Sequence, residues 1–270
     1  MAVMPYIILL TLLISLPLSL TAQELDCGPQ NIDRWTQARI AQAGNLLIIG
    51  NQQYVLAGVY APDMGNPSNR SDPPRPMSRD AQRLLNSILA NNDRKIGIEY
   101  DQQPIDRFGR RVAHLFLQDG TNINQQIIAQ GMGMGIAHPP NLNYQECYFN
   151  AENQAREQQR GIWSLTYNAP ELKFPIALSQ QLSDMDGGFR IIRGKVHSVS
   201  RSRNHYMINL DTTGIRVQRE HWPLFSYREL ERLLGQTIEV RGYGFAHKGA
   251  MFVIIEHPHM INRLNPYHES

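Results

Sequence analysis

Arg190, Arg193, Lys195, Arg201 and Arg203 fall within one short stretch of the chain, with no acidic residue before Asp211 and with Phe189, His197, His205 and Tyr206 interleaved. Cations supply charge for a phosphate backbone and flat rings supply surfaces on which bases stack, so this composition suits a single-stranded nucleic acid. Strand alternation places Arg193 and Lys195 on one face, with Ile192 and Val196 opposite. A solvated sheet face over core aromatics has the same pattern. Nine histidines are present, and His138, His257 and His259 invite a metal reading. No Cys/His/carboxylate spacing of a known zinc or copper site accompanies them. There is no glycine-rich phosphate loop at a strand–helix junction, and no Ser/His/Asp or Cys/His arrangement can be assigned. Cys27 and Cys147 are the only cysteines. In an oxidising compartment they form a disulfide that closes a long loop and contributes on the order of 4 kcal/mol; otherwise they are two separate thiols, Cys147 packed as a small hydrophobe.

The elements that must position these groups divide between two domains, which suits a chain of 270 residues. Twenty-six Lys and Arg against 24 Asp and Glu leave a net charge of only +2, so global charge decides nothing about nucleic acid. Hydrophobic residues at 42% suffice for packed cores and exclude wholesale disorder. Residues 1–23 carry no charged side chain, and the apolar run Ile7 to Leu20 is followed by Thr21-Ala22-Gln23. Residues 1–22 therefore form a signal peptide for a secreted or periplasmic protein, or else an uncleaved N-terminal membrane anchor, since no Lys or Arg precedes the run.

Asn45 to Ile49 and Tyr54 to Val59 form a hairpin across Gly50-Asn51. The Pro- and Gly-rich stretch Met64 to Met77 is a loop, and Asp80 to Leu89 is a helix for which Ser78 offers an N-cap. Lys95 to Tyr100 and Arg111 to Leu117 alternate as strands. Asn122 to Gln130 and Tyr144 to Gln159 are helices, with Gly131 and Gly161 placed to cap their ends. Residues 166–188 read as a linker. Beyond it, Arg190 to Val199, Tyr206 to Leu210, Gly214 to Val217, Gln236 to Gly242 and Met251 to Ile255 read as strands, with a helix at Tyr227 to Leu234.

Four motifs carry a family resemblance. Val55-Leu56-Ala57-Gly58-Val59-Tyr60-Ala61-Pro62-Asp63 is similar to the strand and turn of the staphylococcal nuclease-like (thermonuclease) family. Asp106-Arg107-Phe108-Gly109-Arg110 resembles its Asp-x-Tyr-Gly-Arg turn. Asn122 to Gly131 resembles its helix ending in Gln-Gly, and Ala151 to Ser164 its last helix and closing Gly-x-Trp. The resemblance implies a mainly β chain with α (α+β): an OB-like five-stranded barrel with helices over residues 27–165. Residues 189–265, in β-β-β-α-β-β order, are expected to form a second small OB-like barrel.

The family cleaves phosphodiesters with one calcium ion, a glutamate that activates water and two arginines that neutralise phosphoryl charge. By resemblance the phosphate-binding arginine falls on Val55, the calcium-binding aspartates on Asn45 and Tyr60, and the general base on Asp63; Arg110 keeps its place. Calcium takes six to eight hard oxygen ligands, and both anionic ones are replaced here. Asp63 is a methylene shorter than the family's base, and general-base work needs hydrogen-bond reach to the water. The expectation is a pseudoenzyme with no cofactor that binds single-stranded nucleic acid or an envelope protein, with Arg107 beside the cationic stretch as a nucleic-acid contact. The alternatives are a calcium-dependent phosphodiesterase built on Asp63 and Arg110, and an envelope scaffold without nucleic-acid contact.

Overall fold

The computed structural model describes residues 26–264 except 67, 70, 71, 184, 185 and 248. The expected signal peptide or anchor therefore lies outside the described residues. No helix among those described is long and apolar enough to cross a membrane.

The first domain is built on a closed barrel of β1 (Arg34–Ala43), β2 (Leu46–Ile49), β3 (Gln52–Leu56), β5 (Lys95–Ile105) and β6 (Arg111–Phe116), in the order β1-β2-β3-β6-β5. β2 and β3 join through the two-residue turn Gly50-Asn51, where Gly50 takes the left-handed conformation at φ 59. β3 pairs parallel with β6, while β5 and β6 are antiparallel around the Asp106–Arg110 turn. Leu47, Ile49, Tyr54, Leu56, Ile96, Ile98, Ala113 and Leu115 are buried in this domain's core.

β1 closes the barrel, yet the sequence does not announce it. Its inward residues are the small Ala38 and Ala41, and two register shifts break the alternation. The short β4 (Val59–Tyr60) pairs with β7 (Met134–Gly135) beside the barrel.

Three helices pack on the barrel: α1 (Ser78–Asn91), α2 (Ile123–Ala129) and α3 (Gln145–Glu157). α1 buries Ala81, Leu85, Ile88 and Leu89, a single face at helical spacing. Ser78 is not its cap; it lies inside the helix, which is entered from Met77 at φ 62. Asn122 caps α2 through Oδ1, which accepts from Gln125 N–H at 3.0 Å. Gly131 does follow α2, but the left-handed residue after α3 is Gln159 at φ 50, and Gly161 serves differently. A Cβ on Gly131 would lie 2.2 Å from the Arg160 carbonyl oxygen, and one on Gly161 2.2 Å from that of Gly131, so both are glycine because two backbones touch. Cys27 and Cys147 form a disulfide that ties the N-terminal segment to α3. A bridge of this kind fits an extracytoplasmic location.

After the short α4 (Leu165–Asn168), the stretch expected as a linker contains β8 (Ile176–Leu178). β8 adds in parallel to β9 (Gly188–Lys195). Then follow β10 (Ser198–Arg201), β11 (His205–Asn209), β12 (Thr213–Gln218), the helix α5 (Tyr227–Glu231), β13 (Thr237–His247), β14 (Ala250–Ile254) and β15 (Ile261–Arg263). The sheet runs β10-β11-β12-β14-β13-β9-β8, with β15 on β13. It is not closed as a barrel, contrary to expectation. The chain leaves its pairing with β13 at Val196, whose N–H donates to Gln236, and turns to β11 at His197, whose N–H donates to Asn209. The expected single strand is thus two, serving opposite ends of one open sheet.

The two halves share a core. Tyr60, Ile162 and Trp163 of the first lie in one apolar cluster with Phe174, Phe189, Ile191 and Val240 of the second.

Candidate functional site

The nine-residue turn is shaped by glycine. Gly58 takes φ 70, and a Cβ there would meet the Tyr148 ring at 2.7 Å. Val59 and Tyr60 then pair with Gly135 and Met134, which fixes where the Tyr60 side chain goes. Its ring stacks on Phe189 of the second domain at 4.2 Å between centroids, with the Tyr243 ring edge-on at 6.3 Å. Burial, then the neighbouring Tyr243, push the Tyr60 hydroxyl well above the ordinary tyrosine range; Arg75 opposes them, the Asp63 charge adds to the rise, and a bond to the Asp63 backbone offsets a little of it. It stays protonated and neutral.

Asn45 uses its amide as a donor, with Nδ2 giving a hydrogen bond to the Val59 carbonyl at 3.0 Å. A carboxylate could not make that bond. Val55 is half-buried in β3, paired with Val112. Asp63 is exposed, and its Oδ1 accepts from Gly65 N–H at 3.0 Å, bracing its own loop. A calcium ion here would find one exposed carboxylate, amide and backbone oxygens, and a neutral phenol packed under a ring. This set lacks the carboxylates that such an ion takes.

The Asp106–Arg110 turn remains intact. Asp106 Oδ1 accepts from the N–H groups of Phe108 and Arg110 at 2.9 Å each, and its Oδ2 from Arg110 Nε at 2.7 Å. Burial raises the Asp106 carboxyl, but the Arg110 bonds overcome it and hold it below the usual carboxylate range. The guanidinium groups of Arg107 and Arg110 lie 4.8 and 5.0 Å from the centroid of the exposed Phe108 ring. Tyr243 joins this group from β13. Partial burial and then Asp63 raise its hydroxyl, while Arg110 and Arg107 oppose them.

The cationic stretch is dispersed. Arg190 is buried, donating to Gly187 O at 2.7 Å and Lys173 O at 3.4 Å, and burial, then Arg75, lower its pKa. Arg193 is paired with Glu239 at 2.7 Å. Lys195 and Arg203 are exposed. Arg201 lies 4.6 Å over Trp222, which stacks on Tyr206; Tyr206 is buried and presents no ring to solvent. Arg190 and Tyr206 are both covered by the fold. Among the described residues no three His, Cys, Asp or Glu side chains gather as a metal site.

The sequence reading did not single out three groups: Tyr243, the outward rings beyond it, and a buried ionic network. Arg241 is bidentate to Glu152 at 2.6 and 2.8 Å and also donates to Gly135 O. Glu239 takes Arg193 on one oxygen and Arg156 of α3 on the other, at 2.6 Å. The alternation of Tyr243, Phe245 and His247 along β13 was the one available signal.

Residues 53–165 match the model of the staphylococcal nuclease homologue family. The chain is 30% identical over 125 residues to a thermonuclease of Staphylococcus hyicus, covering 45% of this chain and 70% of that protein. It is 29% identical over 108 residues to a thermonuclease of Staphylococcus intermedius, covering 40% and 61%. An uncharacterised protein of Bacillus anthracis is 32% identical over 96 residues, or 34% and 43%. With the barrel, the Gly58 turn and the Asp106–Arg110 turn all in place, the chain belongs to the staphylococcal nuclease homologue family.

Proposed function

We propose that this protein acts outside the cytoplasm, as a secreted or periplasmic member of its family that binds single-stranded nucleic acid without cleaving it. The observation that carries this reading is the contrast between Tyr60 and Arg110. Tyr60 stands where the family has a calcium-binding carboxylate, and it is stacked beneath Phe189. Arg110 and Arg107 remain at the surface around Phe108, with Tyr243 beside them. Cleavage needs a base within reach of water and concentrated positive charge on the phosphoryl group. Binding needs only guanidinium groups for phosphates and rings for bases, and those are the groups on offer.

The test is cleavage and binding of labelled single- and double-stranded DNA and RNA, with and without millimolar calcium, in the parent and Arg110→Ala. The expected result is no cutting, with single-strand binding that weakens as salt rises and weakens further in the variant. Calcium-dependent cutting lost in Arg110→Ala would overturn the reading in favour of a phosphodiesterase using Asp63 and Arg110. Neither cutting nor binding would leave a protein partner.

A further inference from the structure

The second sheet has one face turned to its core, through Ile208, Ile215, Val217 and Val253. The other face is covered by the first domain where Glu239 and Arg241 stand and where Tyr60 meets Phe189 and the edge of Tyr243. Farther along β13 this outer face is open, and it carries rings. Tyr243 and Phe245 are 62% and 42% exposed, about 7 Å apart along one side of the strand. Phe252 of β14 lies directly across from Phe245, with ring centroids 6.0 Å apart and planes 30° from parallel. The Phe252 ring rests on Gly214 of β12; a Cβ there would come within 2.7 Å of it and within 3.0 Å of Arg216 Nη1. Glycine at this position lets the ring lie down against the sheet.

Arg216 completes the platform. Its guanidinium lies 4.7 Å over the Phe252 ring and is held by Asn209 Oδ1 at 3.2 Å and the Ile215 carbonyl at 2.9 Å. No carboxylate pairs with it among the described residues. Burial alone lowers its pKa, so no neighbouring charge answers it. His247 approaches the same ring at 6.1 Å. At the other end, Tyr243 lies by Arg107 and Arg110, where Asp63 and Asp106 are the opposing acids. The order along the face is arginines, ring, rings, arginine.

We infer that this face is a stacking platform for single-stranded nucleic acid, with bases on Phe245 and Phe252, a phosphate at Arg216, and the strand continuing past Tyr243 onto the first domain. A flat ring accepts any base, an unpaired guanidinium beside it takes a phosphate, and a duplex, whose bases are already stacked, has nothing to offer the rings. The continuation onto Arg107 and Arg110 rests on the function proposed above; the platform itself does not.

The experiment is fluorescence anisotropy of labelled oligothymidylate and of a hairpin duplex against the full chain over a salt series. The variants are Phe252→Leu, Phe245→Leu, Arg216→Gln and the double Arg107→Gln/Arg110→Gln. Each Phe→Leu change should weaken single-strand binding about tenfold at unchanged salt dependence. Arg216→Gln should flatten the slope of log K against log salt by about 0.7. If single strands bind, the double variant fails and the ring variants bind like the parent, the platform is wrong and the first-domain reading stands. If the ring variants and Arg216→Gln fail while the double variant binds normally, the platform stands alone. No single-strand binding by the parent, or equal binding of the hairpin, overturns both. Should Phe252→Leu lose cooperative unfolding, the more exposed Phe245→Leu decides.

Discussion

The first domain meets the second in two ways. At Tyr60 it offers a ring, and the partner surface is a ring, Phe189. A short distance away on α3 it offers Glu152, fully buried, and the partner surface is the guanidinium of Arg241. One contact is neutral and stacked, the other ionic and bidentate. A stacked pair tolerates small shifts and gains mostly by burying area. A buried ion pair is costly to desolvate and has one good geometry, so it fixes how the second sheet docks more than it strengthens docking.

The largest expected effect tests the ionic side. Arg241→Ala leaves the buried Glu152 only Arg156 at 3.7 Å and the Gly135 N–H, and should lower unfolding stability by about 3 kcal/mol in urea titration. The apolar double variant Glu152→Leu/Arg241→Met should recover most of that loss. A single variant near the parent would mean that the pair is not what registers the two domains. On the ring side, Tyr60→Asp buries a carboxylate against Phe189, costing about 2–4 kcal/mol. Calcium-dependent cleavage should not appear; if it did, the second domain must move aside. Tyr60→Phe keeps the stack and removes only the hydroxyl, so thermal unfolding should register a change within about 1 kcal/mol.

The smallest effect lies at the exposed rim. His138 of the first domain meets Glu256 of the second at 2.6 Å. That hydrogen bond, against partial burial, raises the His138 pKa, with the Glu256 charge adding to it and Arg107 opposing. A raised histidine contributes stability that is fully present below its ordinary value of about 6.5 and is lost as pH rises through the folded value. The urea midpoint should therefore fall from pH 6 to pH 8 by less than about 1 kcal/mol of stability, given the solvent screening of an exposed pair. His138→Gln should flatten that part of the profile. Glu256, held low chiefly by the same bond, gives a contribution lost on the acid side instead.

The sequence was most informative where one stretch determines its own conformation. Gly58, the Asp106–Arg110 turn and the Gly50-Asn51 hairpin are all local, and each stands where its residues indicated. The strand β1 escaped because its buried positions are alanines offset by bulges. Most strands of the second sheet were legible, though not β8 or β15, and its failure to close depends on the switch at Val196 and His197, which no apolar pattern encodes. Glu152 reads as a solvated helix residue until Arg241, 89 residues away, arrives beside it. The same holds for Arg190, whose alternation says nothing about what covers it.

The core does not stop where the family match does. Ile162 and Trp163 pack in one cluster with Phe174, Ile191 and Val240, straddling residue 165. A descendant that lost everything beyond that residue would not be a shorter nuclease-like protein. It would open the shared apolar cluster and uncover Tyr60, so the two halves are expected to unfold as a single unit.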